Sequence, residues 1–184
     1  MIVVNLFGCP GAGKSTGAAY IFAKLKINGV NAELVGEFAK DKVWEENTIA
    51  FQNQAYLFGE QSYRLSRCRD KVDVIVTDSP LPLSIVYNAN PYLGDNFKYF
   101  VMDVFHSYEN LNYLVKRVKP YNPIGRHENE EESNALLDKI EQMMEQYSID
   151  YRVVNGDEEG YCSVVEEVLA ILKEEQEEDK YNEE

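Results

Sequence analysis

Cysteine, histidine and positive charge are all scarce in this chain. Its three cysteines, Cys9, Cys68 and Cys162, lie far apart and form no C-x-x-C pair. That argues against both a zinc site and a disulfide framework and fits a reducing compartment. The two histidines, His106 and His127, lack the spacing of a metal-binding pair, and neither is assigned a catalytic role. Long hydrophobic runs are missing too. The opening MIVVNLF carries about six apolar residues with no basic stretch before it, too short for a signal peptide or a membrane span. The expectation is a cytoplasmic protein with no targeting segment and no membrane partner.

Lys and Arg number 18 against 32 Asp and Glu, a formal charge of −14, which excludes a protein that coats a polyanion nonspecifically. Position qualifies that deficit. Residues 174–184 hold seven acids and one base, so −6 of the −14 belongs to this short stretch. Eight of the 18 bases fall in two clusters, Arg64, Arg67, Arg69 and Lys71, and Lys116, Arg117, Lys119 and Arg126. Charge is screened over about 8 Å at physiological salt, so a ligand in a basic cleft feels those clusters rather than a remote acidic tail. A phosphate ligand remains open.

The length, 184 residues, suits one domain able to bury roughly 70% of its unfolded surface without disulfides. No internal repeat is present, and strand and helix patterns alternate. Ile2 to Phe7 is a continuous apolar strand, Lys14 to Asn28 has helical spacing, and Ala32 to Val35 is a second strand ending at Gly36-Glu37. A helical region runs through Trp44 and from Thr48 to about Arg69. Val72 to Thr77 is a third strand, apolar on both faces, as a sheet covered on both sides requires. Further helices are expected near 83–88, 95–107, 131–146 and 163–173, and further strands at 111–115 and 151–154. This order predicts an α/β fold, a doubly wound five-stranded parallel sheet. Residues 1–173 make the domain, and 174–184 form an acidic tail expected to be disordered.

Gly8-Cys9-Pro10-Gly11-Ala12-Gly13-Lys14-Ser15 is a complete G-x-x-x-x-G-K-S between a strand and a helix, the context in which the motif has meaning. Its glycines let the backbone wrap phosphate oxygens, with amide N–H groups and a helix N-terminus facing the anion. Lys14 is placed to reach the terminal phosphates, Ser15 to offer a hydroxyl to Mg²⁺, and Thr16 to touch the α-phosphate. ATP and Mg²⁺ are therefore the expected cofactors. Asp78, at the end of the third strand, is a candidate to hold Mg²⁺ or accept a proton from an attacking hydroxyl. Glu37 occupies the same kind of position after the second strand, so one acid can serve the metal and the other act as base.

Arg117 and Arg126 flank a polar loop, 118–125, long enough to close as a lid and bring guanidinium groups over a transferring phosphoryl. Arg64 and Arg67, three apart on one helical face, are candidates for a substrate phosphate. On the same helix lie Gln52, Gln54, Tyr56 and Phe58, of which Gln54 suits a bidentate contact with a base edge. Asn155-Gly156-Asp157, after the fifth strand, is a turn that brings backbone toward a nucleotide base.

In these motifs the chain resembles P-loop kinases of the nucleoside and nucleotide kinase (thymidylate kinase-like) superfamily. The resemblance covers roughly residues 1–173, through GCPGAGKST, VGEFAKD, VIVTDSP, the lid-like VKRVKPYNPIGR and the base-loop-like VVNGD. Within that group it is most similar to small bacteriophage kinases, including the 5-hydroxymethyluracil DNA kinases. That resemblance implies ATP-dependent transfer of a phosphoryl group to a hydroxyl, with the hydroxymethyl group of a modified pyrimidine in DNA as first acceptor. DSP stands where thymidylate kinases carry an Asp-Arg pair, which argues against thymidylate. Free nucleosides, nucleotides or nicotinamide riboside are the alternative acceptors, and an ATP-dependent binding or switch protein is the alternative from another class. The oligomeric state stays open, a homodimer included.

Overall fold

The computed structural model describes residues 1–122 and 129–183. Five strands, β1 (Ile2–Phe7), β2 (Ala32–Val35), β3 (Val74–Thr77), β4 (Glu109–Lys116) and β5 (Arg152–Asn155), form one sheet in the order β2-β3-β1-β4-β5. Every neighbouring pair is parallel, with Val4 of β1 opposite Val76 of β3 and Leu111 of β4. Parallel pairing needs crossovers, which α1 (Lys14–Ile27), α2 (Phe38–Trp44), α3 (Gln54–Ser66), α4 (Leu83–Val86), α5 (Asp95–His106) and α6 (Glu130–Gln146) supply, and α7 (Glu158–Glu183) follows the last strand.

Alternate residues of β1 sort these helices onto two faces. Ile2, Val4 and Leu6 pack with Ala18, Ile21 and Leu25 of α1 and Val164, Val165 and Val168 of α7. Val3 faces the other way, toward Phe58 and Leu65 of α3 and Val101 of α5, and Phe7 meets Ile140, Met143 and Met144 of α6. Every residue of β1 is buried, as the central strand of a doubly covered sheet must be. Asn5 is its one polar side chain, and its amide donates to Asn110 Oδ1 at 2.9 Å and Asn112 Oδ1 at 3.1 Å on β4. The connection leaving β1 runs over one face toward β2, while those leaving β3 and β4 run over the other. The crevice that such a reversal opens lies at the C-terminal end of β1, between those two neighbours.

Three expected boundaries differ. Helix α2 ends at Trp44 as expected, but the stretch expected to be helical from Thr48 to about Arg69 holds a 3-10 turn, Ala50–Gln52, and becomes α3 only at Gln54, with Glu46 at φ 54 in the connection. Polar caps make the break: Asn47 Oδ1 accepts from Ala50 N at 3.2 Å, and Asn53 Oδ1 accepts from Tyr56 N at 3.1 Å to start α3. The last helix begins at Glu158 rather than Ser163. It also continues to Glu183, so residues 174–183 of the acidic stretch, expected to be disordered, are helical here. Glu, Gln and Lys solvate well but also have high helix propensity, and Lys173 pairs with Glu177 one turn on at 3.7 Å. No helix among the described residues is long and apolar enough to cross a membrane.

Candidate active site

Strand β1 delivers the chain at Gly8 into a loop that closes onto the N-terminus of α1. Gly11 and Gly13 adopt φ 83 and 103, conformations that side-chain-bearing residues rarely take, so the loop follows a path that these glycines permit. Cys9 and Ala12 turn into the core and anchor the loop from below. Pro10 and Gly11 are half-buried, whereas Ser15 and Thr16 are exposed at the start of α1. Lys14 Nζ folds over the loop and donates to Gly8 O at 2.7 Å and Cys9 O at 3.2 Å. Among the described residues the backbone N–H groups of Gly11, Gly13, Ser15 and Thr16 donate to nothing. Unpaired N–H groups at a helix N-terminus are donors that an anion can use.

The two predicted acids leave the same edge of the sheet. Asp78 directly follows Thr77, which lies beside Asn5 of β1 and Val35 of β2, so Asp78 and Glu37 both emerge beside the loop. Asp78 is 6% exposed, and its Oδ1 is buried with no hydrogen-bond partner among the described residues. A carboxylate oxygen in that state is costly unless a ligand or cation completes it. Glu37 is half-buried at the N-cap of α2, with no side-chain cap hydrogen bond. Gln61 fixes that turn, accepting from Phe38 N at 2.8 Å and donating to Gly36 O at 3.4 Å.

The turn after β5 also joins the site. Gly156 N donates to Lys116 O at 2.8 Å, and a Cβ on Gly156 would lie 2.1 Å from Ala12 O. Asn155-Gly156 therefore rests directly against the phosphate loop. Arg117, one residue past β4, is held by Asn134 Oδ1 and by Glu130 at 3.6 Å, with its Nη1 buried and without a hydrogen-bond partner among the described residues. Arg126, His127 and the loop section 123–128 lie outside the described residues.

The helix α3 divides its candidates. Gln54, at its first turn, is buried at the end nearest the sheet's C-terminal edge. Arg64 is instead paired with Asp41, its guanidinium 4.9 Å from the Phe38 ring centroid, and so joins α3 to α2. Arg67 is exposed past the other end, about 20 Å along the helix from Gln54 at 1.5 Å per residue. Gln54 and the two arginines are thus not brought together. Gln52 lies in the exposed 3-10 turn, Tyr56 packs edge-on against Phe38 at 5.5 Å, and Phe58 is core. His106 ends α5.

Several residues with a part in the site have no sequence signal. Tyr161 of α7 donates its hydroxyl to Gly13 O at 2.9 Å and lays its ring against Gly17, where a Cβ would be 2.5 Å from the ring. Burial, with a smaller contribution from Asp157, raises the Tyr161 pKa above its usual value and keeps the hydroxyl a donor. Ser133 of α6, fully buried, donates to Pro10 O at 2.8 Å. Helix α6 starts from an Asn129–Glu132 capping box whose two bonds measure 2.9 and 2.8 Å. Among the described residues no group of three or more His, Cys, Asp or Glu is arranged to hold a metal ion.

This architecture is shared with known proteins. The solved structure of deoxyadenosine kinase from M. mycoides with bound dATP superposes with a TM-score of 0.55 over 93% of this chain and 99% of that chain, at 18% identity. At that identity the likeness establishes the fold, that of a P-loop nucleotide kinase. No curated relative matches the chain by sequence. The AAA domain family matches residues 3–160, from the first strand through the turn after the fifth. That span holds the phosphate loop, both strand-end acids and the Gly156 turn, and the chain belongs to this AAA domain family.

Proposed function

We propose that the protein is an ATP-dependent phosphotransferase that carries the γ-phosphoryl group to a hydroxyl of a small nucleoside- or nucleotide-type acceptor. One observation carries this reading: a glycine loop with unpaired amide N–H groups opens beside a strand end where Asp78 buries a carboxylate oxygen without a partner. The loop amides and Lys14 bind and orient the phosphates. Ser15 and Asp78 fit a Mg²⁺ ion, which when bound to ATP neutralises phosphate charge; the orphaned Asp78 oxygen is the observation behind that fit. Glu37 takes the proton of the acceptor hydroxyl as its oxygen bonds to the γ-phosphorus and the bond to the β-phosphate oxygen breaks, releasing ADP. Arg117, with one buried N–H unsatisfied, and Arg126 balance the charge that spreads over the phosphoryl oxygens. Gln54 reads the acceptor base, and Asn155-Gly156 flanks the ATP base.

Helix α3 supports a small acceptor. A DNA acceptor carrying hydroxymethyluracil calls for basic side chains along the backbone, but Arg64 is engaged with Asp41 and Phe38, and Arg67 lies at the far end of the helix. A small acceptor needs neither. The test incubates the protein with MgATP and a panel of nucleosides, nucleotides, nicotinamide riboside and hydroxymethyluracil DNA, read by mass spectrometry. A gain of one phosphate on a small acceptor, absent with Lys14→Ala, is expected. Labelling of DNA alone moves the acceptor to DNA, and ATP binding with no phosphorylated product refutes the transferase in favour of a nucleotide-dependent binding protein.

A further inference from the structure

We propose that Ser133 and Tyr161 are positioning residues that hold the phosphate loop in its anion-binding form by gripping two of its carbonyl groups from opposite faces of the sheet. The inference rests on the reading of Gly8 to Ser15 as a phosphate site. A trans peptide is planar, so a carbonyl and the N–H that follows it point in opposite directions. Ser133 Oγ holds Pro10 O at 2.8 Å, which turns the Gly11 N–H the other way, into the loop. Tyr161 Oη holds Gly13 O at 2.9 Å, alongside Gly17 N at 2.8 Å, which aims the Lys14 N–H toward the same centre.

The loop needs such holds because its own backbone is soft. Gly11 and Gly13 have no Cβ to restrict them, so without Ser133 the Pro10–Gly11 peptide can rotate at little steric cost, and without Tyr161 the Gly13–Lys14 peptide keeps only the helical bond from Gly17 N. Neither donor has a comparable alternative. Ser133 is fully buried and Tyr161 is 4% exposed, so water cannot replace the carbonyl each one holds. Both are themselves fixed in place. The Asn129–Glu132 capping box and the Arg117–Asn134 bond set the first turn of α6, and the face of Gly17 seats the Tyr161 ring. The end of β4 thereby communicates with the loop through Ser133.

The full chain, as wild type, Ser133→Ala and Tyr161→Phe, is titrated with inorganic tripolyphosphate by calorimetry, and its ligand-free melting is recorded. Each variant is expected to bind about tenfold more weakly, and the double variant about a hundredfold, because each loses one hydrogen bond to a separate peptide. Ile140→Val, which trims buried volume from the same α6, is the control for simple destabilisation: it lowers the melting temperature and leaves affinity unchanged. Wild-type affinity in either variant overturns that residue's role, and a loss of affinity in Ile140→Val equal to that of Ser133→Ala overturns the positioning account. If wild type itself binds no tripolyphosphate, the phosphate-site reading fails and takes this inference with it, an outcome separate from tight wild-type binding with unaffected variants.

Discussion

Adding one methyl group at Gly156 tests the packing of the whole site. The residue's φ lies outside the left-handed region, so Gly156→Ala meets no left-handed strain and acts through space. Its new Cβ would sit 2.1 Å from Ala12 O, 2.9 Å from Lys116 O and 3.2 Å from Ala12 C. All three are backbone atoms with no rotamer to escape into. Restoring an ordinary 3.4 Å contact to Ala12 O requires a separation of about 1.3 Å, and Ala12 stands between Gly11 and Gly13, both at positive φ. Overpacking of this kind costs about 1–3 kcal/mol, which for a chain of this size lowers the melting temperature by about 4–8 °C at the midpoint of that range. A loop displaced by about 1 Å loses about a hundredfold in the rate of a positioned reaction. The assays are thermal unfolding by circular dichroism and titration with MgATP. Gly59→Ala is the control, since Gly59 lies on exposed α3 with nothing within 4 Å of a new Cβ; it should stabilise by up to about 1 kcal/mol and leave binding alone. Wild-type melting and wild-type affinity in Gly156→Ala would refute the docking of the 155–157 turn on the loop.

Asp78→Asn should leave stability unchanged or raised, because the buried oxygen it replaces has no partner, while lowering kcat at least about a hundredfold; unchanged kcat removes Asp78 from the chemistry. Gly17→Ala should displace the Tyr161 ring and weaken nucleotide binding with little loss of helix content, which titration and circular dichroism read together. Tyr113 is 1% exposed with its hydroxyl unpartnered, and burial pushes its pKa from 10 up to about 12. The unfolded chain therefore gives up this proton near pH 10 while the folded chain keeps it to about 12, so stability present below pH 10 falls by up to about 2.7 kcal/mol between those values. Tyr113→Phe should remove that part of the alkaline slope and gain about 1 kcal/mol at neutral pH; a denaturant series at pH 7 and 11 with identical behaviour of the two proteins refutes this.

How much of the site could be read in advance depended on how local its cause was. The phosphate loop needs glycines at fixed offsets between a strand and a helix, a rule confined to eight consecutive residues, so Gly8 to Ser15 were legible. The places of Asp78 and Glu37, just past β3 and β2, were legible because the strands of a parallel sheet all end at one edge. Gly156 was legible only as a turn; that its backbone lies on Ala12 depends on β5 pairing with β4 in the register Lys116 to Asn155. The spacing of Arg64 and Arg67 did not reveal that Arg64 pairs with Asp41 or that Arg67 lies about 20 Å along the helix from Gln54, because three-residue spacing gives a shared helix face and says nothing of partners on other elements.

Sequence alone determined the strand–helix alternation, the all-parallel sheet and the glycine loop between β1 and α1, since hydrophobic period, glycine placement and the crossover requirement act between near neighbours. Only the tertiary structure decided which donors hold that loop. Ser133 and Tyr161 reach Pro10 and Gly13 across 123 and 148 residues of chain, and nothing in a serine or a tyrosine on a helix announces such a partner. The same holds for the carboxylate of Asp78, whose burial without a partner is a property of the packed sheet edge and of no residue by itself.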